Sequence, residues 1–177
     1  TAYDGNITGL GNETITVDSG TATTAQEVTM DGDTTGVITA TISDGDMATL
    51  ASLVDANGNN ALTITVTDAS VASAALNTLD GKTTVAVTAT DATAITGTAA
   101  AIATALSSAG IDHSAANIVA TVDAGSVAAS DLNTIDTNSN NNVVATAATA
   151  VTGTAANIIT AYDGNITGLG NETITVD

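Results

Sequence analysis

Two rhythms of hydrophobic and polar positions alternate along the chain. Short runs such as Thr14-Ile15-Thr16-Val17 and Thr63-Ile64-Thr65-Val66-Thr67 keep a strict two-residue period. That period belongs to a strand with one buried and one wetted face, so Ile and Val are predicted to point inward and Thr outward. Strands are predicted at residues 14–17, 37–42, 62–67, 84–89, 118–122 and 143–147, and again at 173–176. Between them the spacing lengthens. In residues 70–79 (SVASAALNTL), Val71, Ala75, Leu76 and Leu79 share one helical face, and in residues 98–106 Ile102 and Leu106 stand four apart. Asp68 or Ser70 is the natural N-cap of the first helix, and Thr96 or Thr98 of the second. Gly and Asn clusters at 57–60, 80–81 and 138–142 read as turns.

A longer period overlies these. Residues 1–18 (TAYDGNITGLGNETITVD) recur letter for letter as residues 160–177, so that Thr160 restarts the pattern begun at Thr1. Such self-similarity governs the whole fold assignment. Residues 1–159 read as one tandem-repeat unit and residues 160–177 as the start of the next identical copy. The first residue is not Met and the last run stops in mid-pattern, so the polypeptide is expected to continue at both ends. Strand centres fall at Thr16, Thr39, Thr65, Val87, Ala120, Ala145 and Thr175, which makes six strand-plus-connection coils per unit. A weaker echo has an offset of 56: residues 75–80 (ALNTLD) match 131–136 (DLNTID), and 95–105 (ITGTAAAIATA) match 151–161 (VTGTAANIITA). Residues 43–53 hold the equivalent slot in diverged form, giving three two-coil modules.

A lone short strand and helix cannot bury their apolar faces, whereas stacked coils bury a continuous core in which each coil touches its neighbours. The expected fold is therefore an α/β solenoid, with short parallel strands alternating with short helices in about six coils per 159-residue repeat. At a strand spacing of about 4.8 Å, six coils advance the axis by about 29 Å. Placing the two strands of each module in separate sheets is the competing arrangement, and it halves that rise.

Composition narrows the core and the partners. Hydrophobic residues make up 44% of the chain, yet Phe, Trp and Pro are absent and Tyr3 and Tyr162 are the two aromatics. The interior must be Ala, Val, Ile and Leu, side chains suited to thin stacked layers. Net charge is −18, with Lys82 the one Lys or Arg. No nucleic-acid partner is expected, because phosphate binding needs Lys and Arg, and binding to anionic membranes is disfavoured for the same reason. No run of about eighteen apolar residues offers a membrane span. Cysteine is absent, which removes disulfides and thiolate chemistry. One basic residue leaves trypsin one site, as suits a protein outside the cell.

Candidate chemistry is sparse. The acidic turns Asp31-Gly32-Asp33, Asp44-Gly45-Asp46 and Asp163-Gly164-Asn165 offer oxygen ligands around a flexible Gly. Calcium is thus the candidate cofactor, at Asp31, Asp33, Asp44, Asp46 and Asp163, although none is required and ordinary turns have the same letters. Asp18, Asp68 and Asp123 end strands in every second coil, where N-capping competes with a calcium ladder. Thr rows could face ice or mineral, but coils of such unequal length do not match a lattice, and Thr is a good β-former. His113 has no Cys or second His partner and is expected in an exposed turn. Asn6-Ile7-Thr8 and Asn12-Glu13-Thr14 fit the N-glycan acceptor pattern. No base, nucleophile and stabiliser come together, so no enzyme is expected.

The strings ITATISDGDMATLASL, TDASVASAALNTLDGKTTVAV and ITGTAAAIATAL resemble segments of giant tandem-repeat extracellular and cell-surface proteins of bacteria, notably marine cyanobacteria, and the resemblance covers nearly all of the 159-residue unit. The resemblance implies secretion and roles in fibres, sheaths, adhesion or motility, and it carries over no functional residue. The expected function is a structural component of an extracellular filament or cell-surface fibre, partnered by copies of itself end to end and in lateral bundles. The alternative is a calcium-stabilised adhesin stalk or surface-binding array.

Overall fold

The computed structural model describes residues 9–114 and 117–177. Short strands and short helices alternate as follows: β1 (Ile15–Thr16), α1 (Thr24–Asp33), β2 (Ile38–Thr41), α2 (Met47–Leu50), β3 (Ala61–Thr63), β4 (Ser70–Ala72), α3 (Ser73–Asp80), β5 (Val87–Thr88), β6 (Ala94–Gly97), α4 (Ala99–Ser107), β7 (Ile111–Asp112), β8 (Val119–Val122), β9 (Gly125–Ala128), α5 (Ala129–Asn138), β10 (Val143–Val144), β11 (Ala148–Gly153), α6 (Ala155–Asp163), β12 (Ile166–Thr167) and β13 (Thr173–Val176). The protein is α/β with several parallel sheets.

Strand partners are parallel, and each pair joins one coil to the next: Ile15 faces Ile38, Thr39 faces Ala61, Ala94 faces Val119 and Val143 faces Ile166. Parallel neighbours need a crossover of about a dozen residues or more, and the helices provide it. No coil is skipped. The sheets run β1-β2-β3, β5-β7, β4-β6-β8-β10-β12 and β9-β11-β13. A bridge between Thr65 and Thr88 links the first two. Helices α3, α4, α5 and α6 lie side by side in chain order.

The threonine rows fall as the alternation predicts. Leu62, Ile64 and Val66 are buried while Thr63, Thr65 and Thr67 are exposed. One core runs through the coils, built of Ala, Val, Leu and Ile, with Ile38, Leu62, Ile95, Ile102, Leu132, Ile135 and Val151 fully or almost fully covered. Thr98 caps α4 as expected, its hydroxyl accepting from the Ala101 N–H at 3.3 Å.

The start of the first helix differs from expectation. Ser70–Ala72 is the strand β4, paired with β6, and α3 begins at Ser73 with Ala72 as its N-cap. Neither Asp68 nor Ser70 caps it. Asp68 is engaged one coil back, where its carboxylate accepts from the Met47 N–H of α2 at 2.7 Å. Strands directly before a helix recur as β6, β9 and β11, so the later coils hold a second strand besides the one read from alternation. The stretch between α4 and α5 holds three strands, β7, β8 and β9. There β8 pairs on one side with β6, which precedes a helix, and on the other with β10, which follows one. The longest coil thus shifts the sheet by one strand position relative to the helices.

Candidate functional site

The acidic residues from the three turns play separate parts. Asp44 accepts from the N–H of Thr24, the first residue of α1, at 2.7 Å. Asp68 does the same for α2, so these two carboxylates each cap the helix of the preceding coil and tie neighbours together. Asp46 caps its own helix, accepting from the Thr49 N–H at 2.9 Å, and that bond holds its carboxyl below the usual range. Asp33 and Asp163 close α1 and α6 and are exposed. Among the described residues no three acidic or His side chains are grouped to hold a metal ion.

Asp31 is drawn inward instead. It belongs to a buried polar knot with Glu27 and Asn60, exposed by 8%, 0% and 1%. The Asn60 Nδ2 donates to Asp31 Oδ1 at 2.9 Å and to Glu27 Oε1 at 3.4 Å, while its Oδ1 accepts from the Ile38 N–H at 3.0 Å. One amide thereby joins α1, β2 and the turn before β3. Glu27 Oε2 is buried with no hydrogen-bond partner. Burial pushes the Glu27 carboxyl up to about 7; the Asp31 and Asp55 charges add to this, and the Val54 backbone and Lys82 oppose it. The knot can hold a proton near neutral pH. Sequence reasoning missed Glu27 and Asn60, because an acid on a short helix and an Asn in an Asn-rich turn both read as surface residues.

His113 is half-buried, with Nε2 3.0 Å from the Leu106 carbonyl oxygen, a bond that requires the Nε2–H tautomer. Asn12 is exposed, while Asn6 with its acceptor pattern lies outside the described residues, as does Tyr3.

Toward one end of the chain, β1 and α1 frame a groove of about 590 Å³ whose walls mix Val17, Ala22, Ala25 and Met30 with Gln26 and Asp33. Ala25 and Thr29 are exposed on the side of α1 away from the buried Thr24, Glu27 and Asp31, and Met30 is half-buried and packs against the core. At the other end, Ile159 (61% exposed) and Tyr162 (37%) stand out on α6, and Ile174 and Val176 on β13. The Tyr162 hydroxyl donates to Glu172 Oε2 at 2.8 Å. Strands β1 and β13 lie in the two copies of the TITV segment yet pair on opposite sides, β1 with the strand that follows it and β13 with β11 before it. Comparison of the chain with known protein families, characterised proteins and solved structures finds no match in any of the three.

Proposed function

We propose that this chain is a stretch of an extracellular or cell-surface fibre, a solenoid of stacked coils in which residues 1–159 are one unit and residues 160–177 begin the next. Its role is structural rather than catalytic. The observation that carries this is the duplicated strand. As β1 it pairs with β2, and as β13 with β11. A single copy of the strand inside an array can hold both neighbours at once. The sheet β9-β11-β13 then runs on as β1-β2-β3 without an edge. An uncapped strand edge is a liability in an isolated domain and an asset in a fibre. The pairing of consecutive coils supports a rise of about 29 Å per unit at about 4.8 Å per strand. The extracellular setting rests on the single basic residue and the resemblance to bacterial surface proteins.

Electron micrographs of chains with increasing unit number test the reading. The expected particle is a rod that lengthens by about 29 Å per added unit. Compact globules of growing diameter overturn it.

A further inference from the structure

An interior helix and an end helix of the same sequence type differ in what covers them. Residues 95–105 and 151–161 correspond at an offset of 56, which equates Ala99, Ala103 and Leu106 of α4 with Ala155, Ile159 and Tyr162 of α6. In α4, which lies between α3 and α5, these three are buried at 5%, 7% and 3% exposure. In α6, packed along α5, all three are exposed. The core-facing residues Ile158 and Ala161 remain buried, as are their counterparts Ile102 and Ala105. The exposed stripe is therefore the one that a following coil covers.

Resting on the fibre reading, we infer that Ile159 of one copy and Tyr162, which is the next copy's Tyr3, seat together in the groove between β1 and α1 of that next copy. The helix that follows α6 in an array is the next copy's α1, whose Ala25, Thr29 and Met30 line the groove together with Val17 and Ala22. Where α4 presents Ala and Leu to its neighbour, α6 presents the larger Ile and Tyr, and the groove lining includes the small Ala22 and Ala25. The strand reports the same incompleteness: Ile15 and Val17 are half-buried under the coil that follows them, whereas their copies Ile174 and Val176 are exposed. Tyr162 is also fixed in direction. Its hydroxyl is held by Glu172, which is the next copy's Glu13, so the phenol is satisfied at the edge while the ring is free to enter the groove.

Thiol labelling tests the joint, since the chain has no cysteine of its own. The 177-residue chain is preceded by one further copy of residues 1–159, and Ile159→Cys is introduced in the first copy or in the second. The second-copy thiol should react at the rate of the same variant in the 177-residue chain. The first-copy thiol should react at least about tenfold more slowly, because a covered thiol reacts only when its contact opens. Equal rates overturn the joint. Small-angle scattering from the same chains separates the two readings: an extended rod with equal rates discards the groove contact and keeps the fibre, and a compact particle with equal rates discards both.

Discussion

Helices α1 and α4 occupy the same place in their coils and bury opposite kinds of surface. The inward stripe of α4 is Ala99, Ile102, Ala103, Ala105 and Leu106, entirely apolar. The fully buried residues of α1 are Thr24, Glu27 and Asp31, all polar, with Met30 half-buried against the core beside them and Asn60 and Asp44 supplying polar partners. A buried polar face is tolerated where its groups find donors or acceptors alongside, and here Thr24 Oγ1 and Glu27 Oε2 are buried with none. The apolar seam is insensitive to pH. The polar seam gains directionality, because Asn60 and Asp44 fit one register only, and in exchange it carries a titratable carboxyl.

Three substitutions sharpen that contrast. The largest effect belongs to the apolar seam. Ile102→Ala leaves a cavity beside a fully covered side chain and should cost about 2–5 kcal/mol in chemical denaturation. A cost below about 1 kcal/mol would mean that the α4 layer collapses freely and is not close-packed.

The next effect is specific to the polar seam and depends on pH. The Glu27 carboxyl binds its proton up to about 7 in the folded chain, against 4.5 for the ordinary group. Its stabilising contribution is therefore fully present below about pH 4.5 and is lost as pH rises through about 7. Between about pH 8 and pH 5 the melting temperature should climb on acidification, and Glu27→Gln, neutral throughout, should flatten the climb. Asp46 and Asp112, held low by hydrogen bonds from Thr49 and Ser114, titrate below this window. Identical pH slopes for the parent and Glu27→Gln would remove Glu27 as the source.

The smallest effect concerns the ties between coils. Asp44→Ala removes the carboxylate that caps α1 from the following coil, and should cost about 1 kcal/mol in thermal or chemical melting. No measurable loss would show that water caps Thr24 equally well.

Much of the fold was legible in the residues. Alternation in 62–67 located the buried row Leu62, Ile64 and Val66, and Thr98 announced its helix. The offset of 56 reappears in the geometry: Asn77 donates to the Ala101 carbonyl at 2.9 Å and Asn133 to the Asn157 carbonyl at 3.0 Å, each reaching from one helix to the next. Strands such as Ser70–Ala72 and Gly125–Ala128 were not legible. They are three or four residues long, rich in Ala and Ser, and become strands because a neighbour offers its ladder, since no local β-propensity marks them. Gly97 shows the same dependence. Its φ of +146° and the Ser73 side chain against it leave no room for a Cβ, a constraint set by a residue one coil earlier.

By itself the sequence determined the repeat, the rhythm of strands and helices, the small-residue core and the acidic surface, because each is a property of composition or of residues within a few positions of one another. Only the tertiary structure decided which carboxylate caps which helix, that Glu27, Asp31 and Asn60 lie inside, and that Ile159 and Tyr162 stand uncovered where Ala103 and Leu106 do not. Those outcomes depend on which strand or helix lies alongside, and the partners come from elements distant in sequence. A local pattern names the face of an element, and the neighbour across that face determines whether it is buried.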